Sequence, residues 1–544
     1  MGDFIKPRKF VAIDYYTPDD FEQVTKKLPG IVDRANRKSL EVLEPTINER
    51  IAVRNAIKKF LRETGRKVYG GTAVNDLLKI KNPADAIYDD YSFRDIEFYS
   101  PTPVPDLVQL CDELYANKFK FVTGVEAQHE GTYKIHVNFE LYCDITYVPT
   151  NVYNGIKTIV IDGINYADPH FLWIDHLRIY NTPLTSFGIW EKNFKRSYLL
   201  LKYYPLEHFD KPIYIDKPSD EFYNYFLKIK KEFLTADPIR EFTLLGGFDA
   251  YNFYIRHAGN LTPSDAIARN SSAANFINFD FSSLESNVPY VELFSVRYNE
   301  TVTALYEFVR RMVLNKDLIT FGENYPLFQF TGYSVLIKYN DKPLVKIYDS
   351  GGFCVPFVKL KIGLKYVSYQ YLLMTFLMHK FRAHLGKNKS EYFNYGVGVS
   401  NLIKARNIFL KNNNLLIIND TIFSEFKITC VGSTVSPMRE SQLRIIDRIS
   451  KGSRPKFRYV PEEFNKQSDE SKKKFVPSKW YFPNISGNPI INIKNMRFTV
   501  TDSGELVVAA SKETAAESSS EDEIEDEEDE LETIVDETND VVNI

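Results

Sequence analysis

A chain of 544 residues, 44% apolar and 14% aromatic, can bury more than one hydrophobic core, and its length fits roughly two to four domains. No run approaches the ~18 continuous apolar residues of a membrane span. The formal charge of −4 hides an asymmetry: residues 511–544 hold fifteen acidic residues and one basic, leaving 67 of the 68 basic and 57 of the 72 acidic residues upstream, a balance of about +10 that suits a polyanionic partner.

The opening, MGDFIKPRKF, has no apolar core of the kind a secretory signal needs, and Lys6 stands where a myristoylation signal has Ser or Thr. Residence in the cytoplasm is the expectation. Four cysteines, Cys111, Cys143, Cys354 and Cys430, lie far apart without a C-x-x-C pair, so they read as reduced core residues rather than a zinc site or disulfide framework.

In chain order, TINERIAVRNAIKKFLRETG opens with Thr46 and Glu49 spaced as a capping box and closes at Gly65, which predicts a helix. A short strand RKVY follows, then Gly70-Gly71, then a helix from about Thr72. The segments YSFRDIEFYSP and YKIHVNFELYCDITYVP alternate and are rich in β-branched and aromatic residues, hence strands, with a helix PDLVQLCDELYANKF between them. Helical patterns then run through HFLWIDHLRIYN, WEKNFKRSYLLLKYY and EFYNYFLKIKKEFL. The fold class is mixed α/β.

Asp95 and Glu97, one residue apart on a strand, project from the same face, whereas Ile96 and Phe98 face the opposite layer. Asp144 lies on a later strand between Cys143 and Ile145, and joins them if the strands are neighbours. Three converging carboxylates raise one another's pKa unless cations intervene. Hard divalent ions answer that repulsion, and two of them ~3.5–4 Å apart clamp a phosphoryl displacement. The bare backbone at Gly70-Gly71, at a helix start, suits a triphosphate.

The order Gly70-Gly71, Asp95-Ile96-Glu97, Asp144 resembles the signature of the polymerase-β-like nucleotidyltransferases. The flanks YGGTAVN, DIEFYSP and LYCDITYVP resemble the poly(A) polymerase catalytic subunits of large cytoplasmic DNA viruses. The resemblance implies that Asp95 and Glu97 hold two Mg²⁺ or Mn²⁺ ions, that Asp144 completes the metal site near the attacking 3′-hydroxyl, and that Gly70, Gly71, Thr72 and Asn75 bind nucleotide. It implies a nucleotidyltransferase-type mixed sheet, ATP and a single-stranded RNA 3′ end as substrates, no membrane, and work in the cytoplasm, in a viral factory or virion. A homodimer and a complex with a processivity subunit both fit. Glu97 stands where many relatives have Asp. A nucleotidyltransferase of other base preference and an inactive RNA-binding scaffold are the rival readings.

A second set of segments echoes the first in the same order: TLLGGFDAYNFYI from Thr243, YVELFS from Tyr290 and YSVLIKYNDKPLVKIYDSGGFCVP from Tyr333. There Glu292 matches Glu97, but Tyr290 replaces Asp95 and Lys346 replaces Asp144, so this degenerate copy is expected to be inactive. The expected division is an N-terminal segment 1–45, a catalytic domain with helical extension 46–235, a second nucleotidyltransferase-like domain 236–510 and a disordered acidic tail 511–544. Arg178, Lys192 and Arg196 are candidate RNA or phosphate contacts. The segments SKGSRPKFRYVP and SKKKFVPSKWYF interleave cations with aromatics, a composition that can stack bases. His129 and His136 read as structural, and the acidic tail as a solubilising extension, a partner-docking tail or an intramolecular mimic of nucleic acid.

Overall fold

The computed structural model describes residues 15–89, 91–260, 277–361, 363–453, 455–474, 498–500 and 506–508. A helix absent from the sequence reading, α1 (Pro18–Val42), starts at a capping box of Thr17 and Asp20 and buries none of its residues. The helix expected after Thr46 is α2 (Ile47–Thr64), with Thr46 accepting from the Glu49 N–H and Gly65 left-handed at its end. Val53, Ile57, Phe60 and Leu61 form its buried stripe, each contributing about 1.5–3 kcal/mol by leaving water. The reciprocal half of the capping box does not form, because the Glu49 carboxylate accepts from Asn138 instead.

The strands and longer helices that follow are β1 (Lys67–Tyr69), α3 (Gly70–Lys79), β2 (Ile96–Ser100), α4 (Pro103–Ala116), β3 (Thr123–Glu126), β4 (Thr132–Val137), β5 (Glu140–Tyr147), β6 (Thr158–Ile161), β7 (Ile164–Ala167), α5 (Pro169–Tyr180) and α6 (Trp190–Tyr203). The run YKIHVNFELYCDITYVP is a hairpin turned at Asn138-Phe139, both at positive φ. The strands order as β3-β4-β5-β2-β1-β7-β6. β5 and β2 are parallel, β2 and β1 antiparallel, and β1 and β7 parallel.

The second half repeats this plan with β8 (Thr243–Leu245), α7 (Gly247–Gly259), β9 (Val291–Ser295), α8 (Tyr298–Met312), β10 (Ile319–Asn324), β11 (Ser334–Tyr339), β12 (Lys342–Asp349), β13 (Cys354–Lys359) and β14 (Lys365–Val367). Their order is β10-β11-β12-β9-β8-β14-β13, and each neighbouring pair runs in the same sense as its counterpart. Even the bulge recurs, between Ile135 and His136 in one hairpin and Ile337 and Lys338 in the other. Two long helices, α9 (Tyr369–Leu385) and α10 (Lys389–Asn412), pack against this second sheet and bury most of α9. In the sequence the glycine pairs align as Gly70 with Gly246. The structure shifts that match by one residue, because Gly70 and Gly247 open their helices at φ +69° and +56° while Tyr69 and Gly246 are the extended caps.

The chain then returns to the first sheet. β15 (Cys430–Gly432) joins β13, α11 (Pro437–Ser450) crosses back, and β16 (Arg458–Tyr459) adds an antiparallel edge to β3. Cys354 and Cys430 form a disulfide, their Cα atoms 5.3 Å apart, which corrects the expectation of four reduced thiols. A separation of 76 residues hides this pairing from spacing rules, and only Cys111 and Cys143 are free core thiols. No described helix is long and apolar enough to cross a membrane. The acidic tail 511–544 lies outside the described residues.

Candidate active site

Glu97 of β2 and Asp144 of β5 are direct partners in the parallel register, so their side chains stand side by side on one face. Asp95 lies just before β2, two residues back on that face. Its charge acts on both neighbours, so the sheet gathers the three acids picked from sequence. Glu97 is pushed up to about 7, chiefly by burial and then by Asp95. Burial also raises Asp144, against which Lys134 of β4 supplies an ion pair at 2.9 Å.

The glycine turn is bare because the carboxylate occupies the space beside it. A Cβ on Gly70 would lie 1.8 Å from Glu97 Oε2, and the Gly71 N–H donates to that oxygen at 2.7 Å. A Cβ on Gly71 would meet Tyr88 Oη at 2.4 Å and Arg196 Nη2 at 2.9 Å. Thr72 and Asn75 are buried and committed to the chain itself. Thr72 Oγ1 donates to the Asp95 carbonyl at 2.8 Å, while Asn75 Oδ1 accepts from the N–H groups of Ile87 and Tyr88 at 3.1 and 2.9 Å. Both therefore set the backbone that presents Asp95 and Tyr88.

The three candidate cations separate. Lys192 and Arg196, on successive turns of α6, face the acids: Arg196 touches Tyr88, and the Arg94 guanidinium lies 5.5 Å from the same ring's centroid. Burial, then Arg196 and Arg94, hold the Lys192 ammonium below its ordinary range. Arg178 lies on the flank of the glycine turn, paired with Asp175 at 2.7 Å and close to Tyr99 and Tyr69. Trp190 donates to the Ile179 carbonyl and packs on Phe426, a structural place. Sequence reasoning missed Tyr88, Arg94 and Arg54, which donates to the Arg94 carbonyl and feels Asp95. It also missed Lys134, whose signal was present in the alternation of YKIHV, two residues from His136 and on its face.

The basic and aromatic segment 450–461 does not offer rings to bases. Phe457 and Tyr459 are buried, packing on Tyr133 and hydrogen-bonding to Asp112. Its companion, from Phe475 onward, lies outside the described residues. His129 and His136 have depressed pKa values, burial being the first cause and nearby cations the second.

Among the described residues no group of three His, Cys, Asp or Glu side chains closes into a ready metal cage. The donor set nevertheless fits hard divalent ions: three carboxylates share a face, burial and mutual repulsion push two of them up, and a lysine ammonium already stands against Asp144. In this conformation Glu97 is held by the Gly71 N–H and Asp144 by Lys134.

The corresponding face of the second sheet differs. Lys346 is the register partner of Glu292, and both are buried. Burial disfavours the Glu292 carboxylate, yet His379 at 3.1 Å and Lys346 hold it below its ordinary range. Burial and Arg382 push Lys346 down to about 7. Tyr290, in the place of Asp95, is a half-buried phenol.

Comparison with known proteins adds five findings. Residues 55–186 match the family profile "Poly(A) polymerase catalytic subunit", and residues 220–500 match "APMV, Putative poly(A) polymerase, catalytic subunit, C-terminal". The chain is 50% identical over 506 residues to the "Putative poly(A) polymerase catalytic subunit" of Acanthamoeba polyphaga mimivirus, covering 90% of this chain and 86% of that one. A protein of the same description from African swine fever virus (strain Badajoz 1971 Vero-adapted) is 28% identical over 161 residues, spanning 28% of this chain and 34% of its own. The crystal structure of the Megavirus polyadenylate synthase matches with a TM-score of 0.81 at 50% identity, over 94% of this chain and 100% of that one.

Proposed function

We propose that this chain, which belongs to the poly(A) polymerase catalytic subunit family, adds AMP from ATP to the 3′ end of RNA without a template. One observation carries the reading: the first sheet places three acids beside a bare glycine turn, whereas the same positions of the second sheet hold a tyrosine, one acid and a lysine. Asp95, Glu97 and Asp144 are the residues to hold two divalent ions, Mg²⁺ or Mn²⁺. Such ions, when bound, acidify a coordinated hydroxyl and neutralise a departing pyrophosphate.

The rest falls to the chain's own groups. Lys134 favours the ionised form of Asp144 and offsets part of the burial that opposes it. The Gly71 N–H, at the positive end of α3, is a donor for a phosphate oxygen once Glu97 releases it. Arg196, Lys192 and Arg94, set around Tyr88, offset the charge of the triphosphate, and Thr72 and Asn75 fix the loop that carries Tyr88 and Asp95. Positioning and electrostatics supply most of the acceleration in such transfers. We assign the catalytic domain to 46–235 and the second domain to 236–510, and place the enzyme's action in the cytoplasm, in a viral factory or virion. The words "catalytic subunit" in the relatives' names favour a further processivity subunit over a homodimer.

Asp95→Asn tests this function. The purified variant is expected to lose Mg²⁺-dependent AMP addition to primer RNA while keeping its thermal unfolding midpoint and RNA affinity. Substantial tailing by the variant, or extension by wild type with another nucleotide in preference to ATP, contradicts the proposal.

A further inference from the structure

A large cleft among the described residues lies away from the three acids. It has a volume of about 2000 Å³ and is bounded on one side by the end of β5 and the residues after it, and on the other by the 324–334 loop that joins β10 to β11, the end of α9 and the start of α10. That volume is at least twice the ~300–1000 Å³ of a pocket for one small ligand. Its floor is the vestigial site, because Tyr348 of β12 and Arg382 of α9 line it, and Arg382 acts electrostatically on Glu292, Lys346 and Tyr290 just beneath.

The charge of the cleft is unbalanced. Arg382, Lys157, Lys387 and Lys389 line it against Glu130 and Glu391, and among the described residues none of the four cations has a carboxylate within ion-pair distance. Arg382 is the telling group. It is half-buried, and Tyr348 and Tyr290, both phenols rather than carboxylates, are its foremost neighbours. Glu391 and the buried Glu292 act on it from beyond ion-pair distance, so its N–H groups have no carboxylate in direct contact and a phosphate can pair with them. Tyr325, Tyr392 and Phe393 supply ring faces along the same walls.

The cleft also communicates with the acids. Tyr147, which lines it, ends the strand that carries Asp144. Phe328, another lining residue, packs edge-on against Tyr99 at 5.6 Å, and Tyr99 stacks at 3.9 Å on Tyr69, the residue before the glycine turn.

We propose that the degenerate second sheet keeps its substrate cleft as a metal-independent binding site for the sugar-phosphate backbone of single-stranded RNA behind the growing 3′ end, with Arg382 as its principal phosphate anchor. This rests on the function proposed above. Dispersed cations with interleaved rings match a flexible polyanion whose bases stack without sequence preference, and the size exceeds what a lone nucleotide fills. The second module has lost the ligands of a divalent ion and has gained fixed cations, so it holds phosphate without the ion.

The experiment measures binding of 5′-fluorescein-labelled A20 RNA to the full-length protein by anisotropy, in EDTA and over a salt series. Wild type and Asp95→Asn are expected to bind alike. Arg382→Gln is expected to weaken binding about tenfold. The double variant Lys387→Gln/Lys389→Gln, at exposed positions, is expected to lower the slope of log affinity against log salt by about 1.4, the contribution of two single-strand phosphates. If Arg382→Gln loses its cooperative melting transition, the double variant decides alone. Wild-type affinity and salt slope in the double variant and in a folded Arg382→Gln overturn the inference. Loss of ATP binding in EDTA with RNA binding retained overturns it too, in favour of a nucleotide site. Failure of wild type to extend RNA at all falls on the proposed function instead, and leaves the contrast between variants to judge the cleft.

Discussion

The two sheets are built on one plan and charged in opposite ways. In the first, the pair Glu97 and Asp144 concentrates negative charge that calls for an external cation; in the second, the matching pair Glu292 and Lys346 is compensated from within, with His379 as a further partner. Strand order, pairing sense and the hairpin bulge are the same. What the fold needs has therefore been kept apart from what the chemistry needs: the apolar faces beneath both sheets are buried, while a few side chains on the other face decide whether a divalent ion has a place.

The largest effect comes from copying the second sheet into the first. Asp144→Lys places an ammonium in the acid cluster proposed to hold the metal ions, and AMP addition is expected to fall by about 10³-fold or more in a primer-extension assay. The converse, Lys346→Asp, restores one acid but leaves Tyr290 in place of the other, and is expected to create no activity in an Asp95→Asn background. Tailing by that double variant would erase the distinction drawn between the sheets.

The next effect uses the glycines. Gly70→Ala forces a Cβ into the Glu97 carboxylate at positive φ, so roughly 10²-fold loss of kcat/KM is expected together with about 1–3 kcal/mol of destabilisation. Gly247→Ala meets Glu292 Cβ at 2.8 Å, also at positive φ, and is expected to destabilise similarly with little change in kcat/KM per folded molecule. Equal kinetic losses would mean that the second turn also serves the chemistry.

Much of this was legible from the chain. The alternation D-x-E on one strand and D on another fixes which side chains share a face, because a strand's period is 2 wherever it lies. The hairpin, the helices and the order of the repeat follow from local pattern. Other features depend on contacts that no local pattern records. Arg54, Tyr88 and Arg94 meet only because Asn75 and Thr72 pin the loop between α3 and β2. β16 completes the first sheet from more than 300 residues away, with Arg448 of α11 bonded to Glu126, so its cations and rings looked like a binding motif while its rings belong to the core. The glycine pairs misaligned by one because GG is equally visible in either register, whereas positive φ is a property of the folded turn.

The smallest effect concerns stability and distinguishes a cation compensated in place from one merely tolerated. Lys346 titrates at about 7 in the folded protein, from burial and the Arg382 charge, against 10.5 for a free lysine. Between these values the unfolded chain holds a proton that the folded one has released, so this group makes stability rise with pH from about 7 toward 10 and contributes nothing to the slope below about 6. The rise is on the order of 2–4 kcal/mol at most, since Glu292 draws the ammonium back toward its charged form. Lys346→Met removes the titrating group and keeps the volume. Urea unfolding of both proteins at pH 6, 7, 8 and 9 is expected to show the wild type gaining on the variant as pH rises, with AMP addition equal per folded molecule. A constant difference across that range would mean that Lys346 stays protonated, with Glu292 compensating it as fully as water does, and the second sheet would then be a finished ion-pair core rather than a strained one.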